Sequence, residues 1–333
     1  GQIQRSEFQL ALEAVVNACT DAGLNPKELD GFCSYADDRN QAVRMATALG
    51  VNELKYATMQ WGGGGGGGSA GVMNALLAVA TGSANYVAVY RSLAQGQFGR
   101  FGQSRVGNRV GGDNAFTTPY GLMSPPHTFA MRTQRHMYQY GTTSKQLGAV
   151  AVACYKHAQN NPRAVMRGRP ITLEDHQASR MIVDPFHLYD CCLETDGAAA
   201  VIVTTPERAR ALKQKPVYIM SAASGNPYRG GAGAYNQPDF ANANFQDGVA
   251  DRLYERAGIT PQDVDVAQIY ENFTGMVIMS IEEHGFCKRG EGGPFVEGGR
   301  IEIGGDLPIN TSGGNLAEAY THGFELVTEA ARQ

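Results

Sequence analysis

The sequence lacks several features that would assign it to a common class of protein. No apolar run in its 333 residues approaches the ~20 residues of a membrane-spanning helix. The N-terminal segment contains no apolar signal region. Lysine and arginine (28) do not outnumber aspartate and glutamate (32), and the net charge is −4. This balance does not favour nucleic acid or an anionic membrane as a partner. The hydrophobic content of 43% predicts a folded globular protein.

Cysteine is scarce and forms no recognisable pattern. The six cysteines include no CxxC pair and no zinc-binding spacing. Cys19 falls on the apolar face of a predicted helix, where core packing explains it. We therefore predict a cytoplasmic protein with reduced thiols and no metal site. The cysteines are Cys19, Cys33, Cys154, Cys191, Cys192 and Cys287.

Glycine, in contrast, is abundant. It accounts for 42 residues, and seven of them, Gly62–Gly68, are consecutive. A flexible linker is one interpretation, but the run follows a strand-like segment, 56–61, and precedes a predicted helix from Ser69 to Gly82. A strand, a glycine turn and a helix start direct backbone N–H groups towards an anion. The run therefore predicts a ligand-facing backbone, although not a Walker loop, because no Lys-Ser/Thr pair follows it.

Apolar segments of strand length alternate with helical segments along most of the chain. The first helix is predicted from Ser6, a suitable N-cap, to Gly23. Continuous apolar strands between helices indicate an α/β protein whose sheet is covered on both faces. The predicted strands are 86–91, 198–205, 217–223 and 264–270.

Residues 95–185 interrupt this alternation with glycine, proline, arginine and aromatic residues. A stretch of that length is typical of a functional insertion, and we predict helices near 127–140 and 144–160 within it. Its apolar side chains suit the wall of a cleft, although ordinary core packing explains them equally well. These side chains are Phe98, Phe101, Phe116, Tyr120, Leu122 and Met123.

The sequence also contains an internal repeat. Residues 21–35 and 256–270 share the pattern Ala-Gly-aliphatic-polar-Pro-x-acid-aliphatic-Asp, and both end on tyrosine. A weaker echo relates the glycine-rich turn at 62–71 to residues 311–315, since both precede alanine-rich helical segments. The repeat indicates two similar halves that pack together.

Four segments resemble the thiolase superfamily. Residues 62–90 resemble the segment that holds the nucleophilic cysteine of these enzymes at a helix N-terminus, and residues 188–205 resemble their Asp-Cys…Asp-Gly-Ala-Ala-Ala strand. Residues 269–299 resemble the His-Asp-x-Phe stretch of the sterol-carrier, or lipid-transfer, branch. Residues 309–323 resemble the segment that carries the Gly-His-Pro histidine. The resemblance implies a thiolase-like α/β fold.

In that fold two similar βαβαβ-type halves pack in α/β/α/β/α layers. For this chain it implies an N-terminal half at 1–205, with the insertion at about 95–185, and a C-terminal half at 206–333 that ends before the usual final strands. Thiolase-like proteins bury a sheet edge and the nucleophile helix against a second copy. We therefore expect a homodimer with an interface on the order of 2,000 Å² or more.

The chain departs from the thiolases at their catalytic positions. The position of the nucleophilic cysteine, counted back from Gly82, falls on Gly65, so no thiolate is available there. The Gly-His-Pro histidine aligns with Tyr320, and the residue that opens the His-Asp-x-Phe motif aligns with Tyr270. This combination resembles the steroid side-chain-cleaving aldolases, a branch of the superfamily that lost the cysteine and uses tyrosines.

The second resemblance implies a carbon–carbon lyase. Its substrate would be a β-hydroxyacyl-CoA with a steroid or bile-acid side chain, cleaved by a retro-aldol step into a ketone or aldehyde and a short acyl-CoA. The resemblance also implies a small zinc-containing partner of OB-like fold. We expect no covalently bound cofactor in this chain, because the substrate carries coenzyme A and zinc belongs to the partner.

The candidate site residues follow from these motifs. Tyr270 is the candidate base and Tyr320 the candidate donor to the enolate, and the reversed assignment stays open. His322 is a further acid or base candidate, although a lone histidine is more often structural. The glycines would leave room for a bulky substrate and supply N–H groups. The predicted substrate-binding residues are Gly65, Gly66, Gly67, Gly68, Gly313, Gly314 and Phe116.

Two other functions compete with the aldolase hypothesis. A thiolase or acyltransferase would need another cysteine, and Cys191, Cys192 and Cys287 do not lie at predicted helix N-termini, where a thiolate is stabilised. A non-catalytic thiolase-like subunit that carries lipid or scaffolds a partner would also tolerate loss of the nucleophile. Tyrosines at both histidine positions argue against simple decay, because each can donate to an oxyanion.

Overall fold

The computed structural model describes residues 5–62, 64–98, 110–226, 228, 237–243 and 248–333. It groups the chain into two units, the first comprising residues 1–97, 195–224 and 320–333, and the second residues 98–194 and 225–319. The predicted boundary between two halves at residue 205 is a different division and stays a prediction. Within the described ranges, no helix is both long enough and apolar enough to cross a membrane.

The helices and strands follow one another in mixed order along the chain. The helices are α1 (Glu7–Ala22), α2 (Ala42–Leu49), α3 (Gly67–Ala80), α4 (Gln95–Phe98), α5 (Pro125–Tyr140), α6 (Ser144–Ala158), α7 (Leu173–Ala178), α8 (Pro206–Arg210), α9 (Val249–Ala257), α10 (Thr274–Glu283), α11 (Gly292–Phe295), α12 (Gly314–Ala317) and α13 (Phe324–Ala330). The strands are β1 (Gly31–Ala36), β2 (Tyr56–Trp61), β3 (Tyr86–Ala94), β4 (Met181–Val183), β5 (Phe186–His187) and β6 (Asp196–Thr204).

A four-stranded sheet in the order β2-β1-β3-β6 forms the centre of the first unit. β1 is parallel to both β2 and β3, whereas β6 is antiparallel to β3. The side chains of β1 belong to two apolar cores, one on each face of the sheet. Phe32 packs with Val15 of α1 in one core, and Tyr35 packs with Ala75 of α3 and with Phe324 in the other. Helices therefore cover both faces of the sheet, as the continuous apolar strands predict.

The second unit is mainly helical. α10 lies at its centre, and nine of its ten residues are buried. It packs against α5 and α6, whose positions match the helices predicted near 127–140 and 144–160. The thiol-bearing Cys154 of α6 is part of the same apolar core. The unit also contains the short antiparallel pair β4-β5.

The sequence repeat is also a repeat of local structure. α1 and α9 both end at a glycine in the left-handed region, Gly23 at φ 72° and Gly258 at φ 68°. Each helix is followed by a 3₁₀ turn that begins with proline, at Pro26–Glu28 and Pro261–Asp263. A capping box closes each turn, and its reciprocal hydrogen bonds explain the shared polar and acidic positions.

Two of the predicted strands are wrong. Residues 217–223 belong to no ladder among the described residues, and Val217, Tyr218 and Met220 are more than half exposed, at 62%, 56% and 64%. Residues 264–270 form only one bridge, from Ala267 to Ile309. An apolar extended segment becomes a strand only when a neighbouring strand pairs with its backbone.

In the segment 264–270, a side chain takes the place of a neighbouring strand. Asn310 accepts a hydrogen bond from the Ile269 backbone N–H at 2.7 Å and donates one to the Ile269 carbonyl at 2.8 Å. The Asn310 amide thus satisfies both backbone groups of Ile269, as a ladder partner would.

Candidate active site

The glycine run joins β2 to α3. Gly62 and Gly64 have positive φ angles of 71° and 51°, residues 64–66 form a 3₁₀ turn, and α3 begins at Gly67. Gly65, the predicted position of the thiolase cysteine, is buried in this turn. Gly63 lies outside the described residues. The predicted order of strand, glycine turn and helix is confirmed.

The glycines of the turn serve two different purposes. A Cβ on Gly67 would lie 2.6 Å from the Tyr35 ring, and one on Gly68 would lie 3.4 Å from Phe324. Gly66, in contrast, is exposed, and a Cβ there would meet no atom within 4 Å. Packing therefore requires the glycine at 67, whereas the open position at 66 leaves the backbone accessible to a ligand.

We expect Gly67→Ala to lower the free energy of unfolding by ~1–3 kcal/mol, because the added methyl group overpacks the contact with Tyr35. Gly66→Ala is the matched control and should be neutral or stabilising by up to ~1 kcal/mol, since alanine restricts the unfolded chain. Urea unfolding of both variants measures the difference. Equal stability of the two variants would contradict the packing described here.

Tyr320 lies in the same unit as the glycine turn. Its backbone N–H donates to Thr195 Oγ1 at 2.8 Å, and the Thr195 hydroxyl donates to the Tyr320 carbonyl at 3.1 Å. The side chain is buried, and its ring centroid lies 5.8 Å from that of His322. The backbone N–H and carbonyl of Tyr320 are thereby both held next to β6, which begins at Asp196.

His322 occupies an unusual backbone conformation beside the turn. Its φ is 59°, a region that non-glycine residues rarely adopt. The Tyr35 hydroxyl donates to the His322 carbonyl at 2.7 Å and so holds this conformation. A Cβ on Gly64 would lie 3.9 Å from His322 Nε2, so the imidazole borders the glycine turn. The structure thus brings together Gly65–Gly68, Tyr320 and His322 within the first unit.

A buried arginine contacts the same imidazole. Arg91 is 1% exposed and its Nη2 lies 3.3 Å from His322 Nδ1. Its guanidinium also pairs with Asp38 at 3.1 Å and with Asp37 at 2.7 Å. Burial, and secondarily the positive charge of Arg91, lower the pKa of His322 to about 3. Both effects favour the neutral imidazole at physiological pH, and the acid or base role of His322 stays a prediction.

Tyr270, Gly313 and Gly314 lie in the second unit. The half-buried Tyr270 is followed by the buried Glu271, which accepts hydrogen bonds from Asn315 N at 2.6 Å and Asn315 Nδ2 at 2.8 Å. Burial raises the pKa of Glu271 to about 7. A Cβ on Gly314 would lie only 1.7 Å from Glu271 Oε1, and one on Gly313 would lie 2.8 Å from the Ala158 side chain. Packing accounts for both glycines, and their contact with substrate stays a prediction.

The predicted aromatic wall is only partly described. Phe101 and the side chain of Phe98 lie outside the described residues. Phe116 and Tyr120 are 76% and 80% exposed. A cavity of about 540 Å³ in the second unit includes Tyr120 and Leu122 in its lining, with Met131, Tyr138 and Phe240 among the other lining side chains. Phe116 is not in this lining, and its role in substrate binding stays a prediction.

Comparisons with known proteins agree with these features. Residues 233–333 match the family model described as thiolase C-terminal domain-like. A 17-hydroxy-3-oxo-4-pregnene-20-carboxyl-CoA lyase of Mycobacterium tuberculosis is 44% identical over 99% of this chain and 86% of the relative. A steroid side-chain-cleaving aldolase of Thermomonospora curvata is 42% identical over 98% of this chain and 85% of that relative. The chain belongs to the steroid side-chain-cleaving aldolases of the thiolase superfamily.

A solved structure leads to the same family. The Ltp2-ChsH2(DUF35) aldolase matches with a TM-score of 0.91 and 42% identity, covering 98% of this chain and 85% of that chain. The thiolase-like α/β fold and the carbon–carbon lyase class implied by the sequence motifs are therefore confirmed. The roles of individual residues in the aldolase are not tested by these comparisons and stay predictions.

Two of the candidate replacement nucleophiles, Cys191 and Cys287, are poorly suited to that role. Burial raises the pKa of Cys191 to about 12 and that of Cys287 to about 12, so both thiols stay protonated at neutral pH. Cys19 is buried in the core of the first unit, as its place on the apolar helix face predicts. All six cysteines are free thiols in the structure.

Sequence reasoning missed the charged group around His322. Asp37 and Asp38 directly follow β1, and Arg91 lies within the parallel neighbour β3. Charged residues at the carboxyl ends of adjacent parallel strands meet at one sheet edge, where open α/β sheets bind their ligands. Two features of the sequence could have indicated this group: an arginine in the apolar run 86–94, and a pair of aspartates directly after an apolar strand.

Proposed function

We propose that the aldolase cleaves the Cα–Cβ bond of a β-hydroxyacyl-CoA that carries a bulky, steroid-like ring system at or next to its β-carbon. The hydroxyl proton passes to a base, the electrons of the Cα–Cβ bond pass to the thioester as an enolate, and the β-carbon becomes a ketone or aldehyde. Protonation of the enolate at Cα releases the shorter acyl-CoA. This reaction needs no covalent intermediate.

The observation that carries this proposal is the buried Gly65 at the position of the thiolase nucleophile. Acyl transfer by a thiolase depends on a thiolate at this point. A retro-aldol step depends instead on a base and on donors aligned with the enolate oxygen. The exposed backbone at Gly64 and Gly66 and the positive end of α3 supply such donors in the first unit.

Tyr320 is proposed as the side-chain donor to the enolate. It shares the first unit with the glycine turn, and its ring packs beside His322, which borders Gly64. A phenol donates its O–H without carrying charge, so it can stabilise the developing enolate more strongly than the ground-state carbonyl. The support for this role is the placement of Tyr320 within the first unit together with its position in the motif.

Tyr270 is proposed as the base that takes the hydroxyl proton. A phenol with a pKa near ~10 needs a drop of ~3 units to be mostly ionised at pH 7, which is roughly 4 kcal/mol of stabilisation. Transient deprotonation without a stable phenolate is the other route. Asn315 donates two hydrogen bonds to the carboxylate of Glu271 and so anchors the side chain of the residue that follows Tyr270. The pH profiles of Tyr270→Phe and Tyr320→Phe distinguish this assignment from the opposite one.

The names of the relatives support the substrate class. The Mycobacterium tuberculosis relative is named for a 17-hydroxy steroid with a CoA thioester at a 20-carboxyl group. A hydroxyl and a thioester in that relation are the two groups that a retro-aldol reaction needs. We propose a substrate of this class, with coenzyme A carried by the substrate and no cofactor bound covalently.

We also propose two protein partners. The similarity to the Ltp2-ChsH2(DUF35) aldolase supports a heteromeric complex, in which we expect a small zinc-containing partner with an OB-like fold. A homodimer is supported by the edge strand β2, whose backbone can pair with a second copy. Apolar side chains on and near this edge are exposed: Trp61 at 76%, Met59 at 37% and Leu77 of α3 at 51%. Sedimentation of a dilute sample as a monomer would contradict the homodimer.

Product analysis tests the reaction. The protein, co-expressed with its partner, is incubated with β-hydroxyacyl-CoA thioesters that differ in ring system, and the products are identified by mass spectrometry. We expect equal amounts of a ketone or aldehyde and a shortened acyl-CoA. A linear 3-oxoacyl-CoA with free coenzyme A serves as a control, since thiolysis of that compound without retro-aldol cleavage of the β-hydroxyacyl-CoA thioesters would overturn the proposal.

We expect no acyl-enzyme to form. Gly62–Gly68 offer no nucleophile, and the raised pKa values of Cys191 and Cys287 keep these thiols protonated. Incubation with acetyl-CoA or acetoacetyl-CoA should leave the intact mass unchanged. A stoichiometric acyl adduct on any cysteine would instead favour the thiolase or acyltransferase hypothesis.

A further inference from the structure

The contact between Arg91 and His322 assigns a role to a histidine that the sequence only marks as a candidate. We propose that Arg91 is a positioning residue that fixes His322 as the neutral tautomer with its proton on Nε2, and that this N–H donates a hydrogen bond to the substrate at the glycine turn. The second part rests on the proposed retro-aldol function. The first part is a statement about the protein alone.

The tautomer follows from the chemistry of the guanidinium. Arginine has donors only and keeps its proton in proteins, so the ring nitrogen that it contacts must be the acceptor. Arg91 Nη2 lies 3.3 Å from His322 Nδ1. A neutral imidazole that accepts at Nδ1 carries its proton at Nε2. His322 is therefore a hydrogen-bond donor at the ring atom that borders Gly64.

Arg91 is itself held in place. Asp38 accepts from Nη1 at 3.1 Å and Asp37 accepts from Nη2 at 2.7 Å. Asp38 is further fixed by the Asn40 backbone N–H at 2.7 Å. The two carboxylates, which follow β1, hold the guanidinium on β3 against the imidazole. The guanidinium is carried by β3 and both carboxylates come directly after its parallel neighbour β1, so two adjacent strands support the group.

The backbone of His322 is held in place as well. The Tyr35 hydroxyl donates to the His322 carbonyl, and the residue is kept at a φ of 59°. A non-glycine residue in this region persists only when its surroundings enforce the conformation, and such residues cluster at functional sites. The result is that Nε2 lies beside the turn, where a Cβ at Gly64 would come within 3.9 Å of it.

The charged groups that face His322 keep it neutral over a wide pH range. Burial and the charge of Arg91 lower its pKa to about 3, and Asp37 only partly opposes them. The donor at Nε2 therefore neither gains nor loses a proton around neutral pH. It can stabilise an enolate oxygen in the same way as an oxyanion-hole amide, without acting as an acid or base.

Two substitutions at position 322 test the donor. The amide nitrogen of glutamine reaches the place of Nε2, whereas that of asparagine reaches only the place of Nδ1. We expect His322→Asn to lower kcat by ~10²–10³, the cost of one lost oxyanion donor, and His322→Gln to lose less than about tenfold. Asparagine tolerates a positive φ better than most residues, so backbone strain does not explain its larger loss.

The outcomes separate the hypotheses. Equal and large losses in both variants would overturn the donor role, because an acid or base histidine cannot be replaced by either amide. No loss in either variant would overturn it too. The pH profile of kcat in His322→Gln should match that of the wild-type protein, and disappearance of a limb would show that His322 titrates.

A measurement on the wild-type protein tests the tautomer without activity. In ¹⁵N-histidine-labelled protein, the His322 signals are assigned by their loss in His322→Gln. We expect the Nε2–H tautomer, unchanged between about pH 5 and 8, well above the lowered pKa. An Nδ1–H tautomer, or protonation in this range, would overturn the assignment. If the wild-type protein cleaves no β-hydroxyacyl-CoA, the proposed function and the donor role fall, whereas the tautomer result stands.

Discussion

Replacing Tyr320 by phenylalanine should lower kcat for retro-aldol cleavage by ~10²–10³, because the change removes one donor to the enolate and keeps the shape of the buried ring. KM should change far less, since the hydrogen bond strengthens only as the enolate forms. Steady-state kinetics on the best substrate of the thioester panel measure both constants. Tyr218→Phe makes the same chemical change on a side chain that is 56% exposed, and serves as the control.

Tyr270→Phe should have an effect of at least similar size, ~10²–10⁴, if Tyr270 is the general base. The pH profile separates the roles: loss of the base should remove the limb that reports its ionisation, whereas loss of the donor should lower the whole profile. Retention of near wild-type kcat by either variant would remove that tyrosine from the mechanism. A limb that disappears in Tyr320→Phe would support the reversed assignment.

The elements around the glycine turn could be predicted from the sequence because their signals are local. Ser6 caps α1 and Gly23 ends it, and a glycine run between an apolar segment and an alanine-rich helix places β2, the turn and α3 in order. The motif spacing likewise predicts Tyr320 as a site residue and Gly65 as the position of the missing nucleophile, and both stay predictions. Each of these inferences depends only on residues close together in sequence.

The group around His322 could not be predicted in the same way, because its members are far apart in sequence. Arg91 and His322 are separated by 231 positions, and only the pairing of β1 with β3 brings Asp38 to the guanidinium. The predicted strand at 264–270 was wrong for a similar reason, because its environment depends on a residue distant in sequence. Its apolar pattern is strand-like, but the Asn310 amide, rather than a neighbouring strand, satisfies the backbone of Ile269.

Arg91→Met should lower the free energy of unfolding by ~3–5 kcal/mol. Both side chains of the Arg91–Asp38 pair are buried, at 1% and 0% exposure. Removing the guanidinium leaves the Asp38 carboxylate in a buried place without its counter-charge, and that uncompensated charge is the main source of the loss. Asp37→Asn is the control, because the Asp37 side chain is 59% exposed and its pair with Arg91 should contribute little.

The double variant Arg91→Met, Asp38→Asn separates charge from packing. If the unpaired carboxylate causes the loss, neutralising Asp38 should recover a large part of it, so the two substitutions should be strongly non-additive in urea unfolding. Full additivity would show that Arg91 stabilises the fold through its packing against Tyr35 instead, since its guanidinium carbon lies 5.7 Å from that ring.

The pH dependence of the stability of Arg91→Met gives an independent test of whether the unpaired Asp38 carboxylate causes the loss. Burial raises the pKa of Asp38 and the charge of Arg91 lowers it, so the pKa in the folded state should rise further in Arg91→Met. A carboxyl whose folded pKa lies above its unfolded value binds a proton more tightly when folded, and stability then falls as pH rises through that window. The deficit of Arg91→Met should therefore shrink as pH is lowered from about 8 towards the ordinary carboxyl pKa near ~4. The double variant has no carboxyl at position 38, so its deficit should stay flat over the same range, and a parallel slope in both variants would assign the titration to another group.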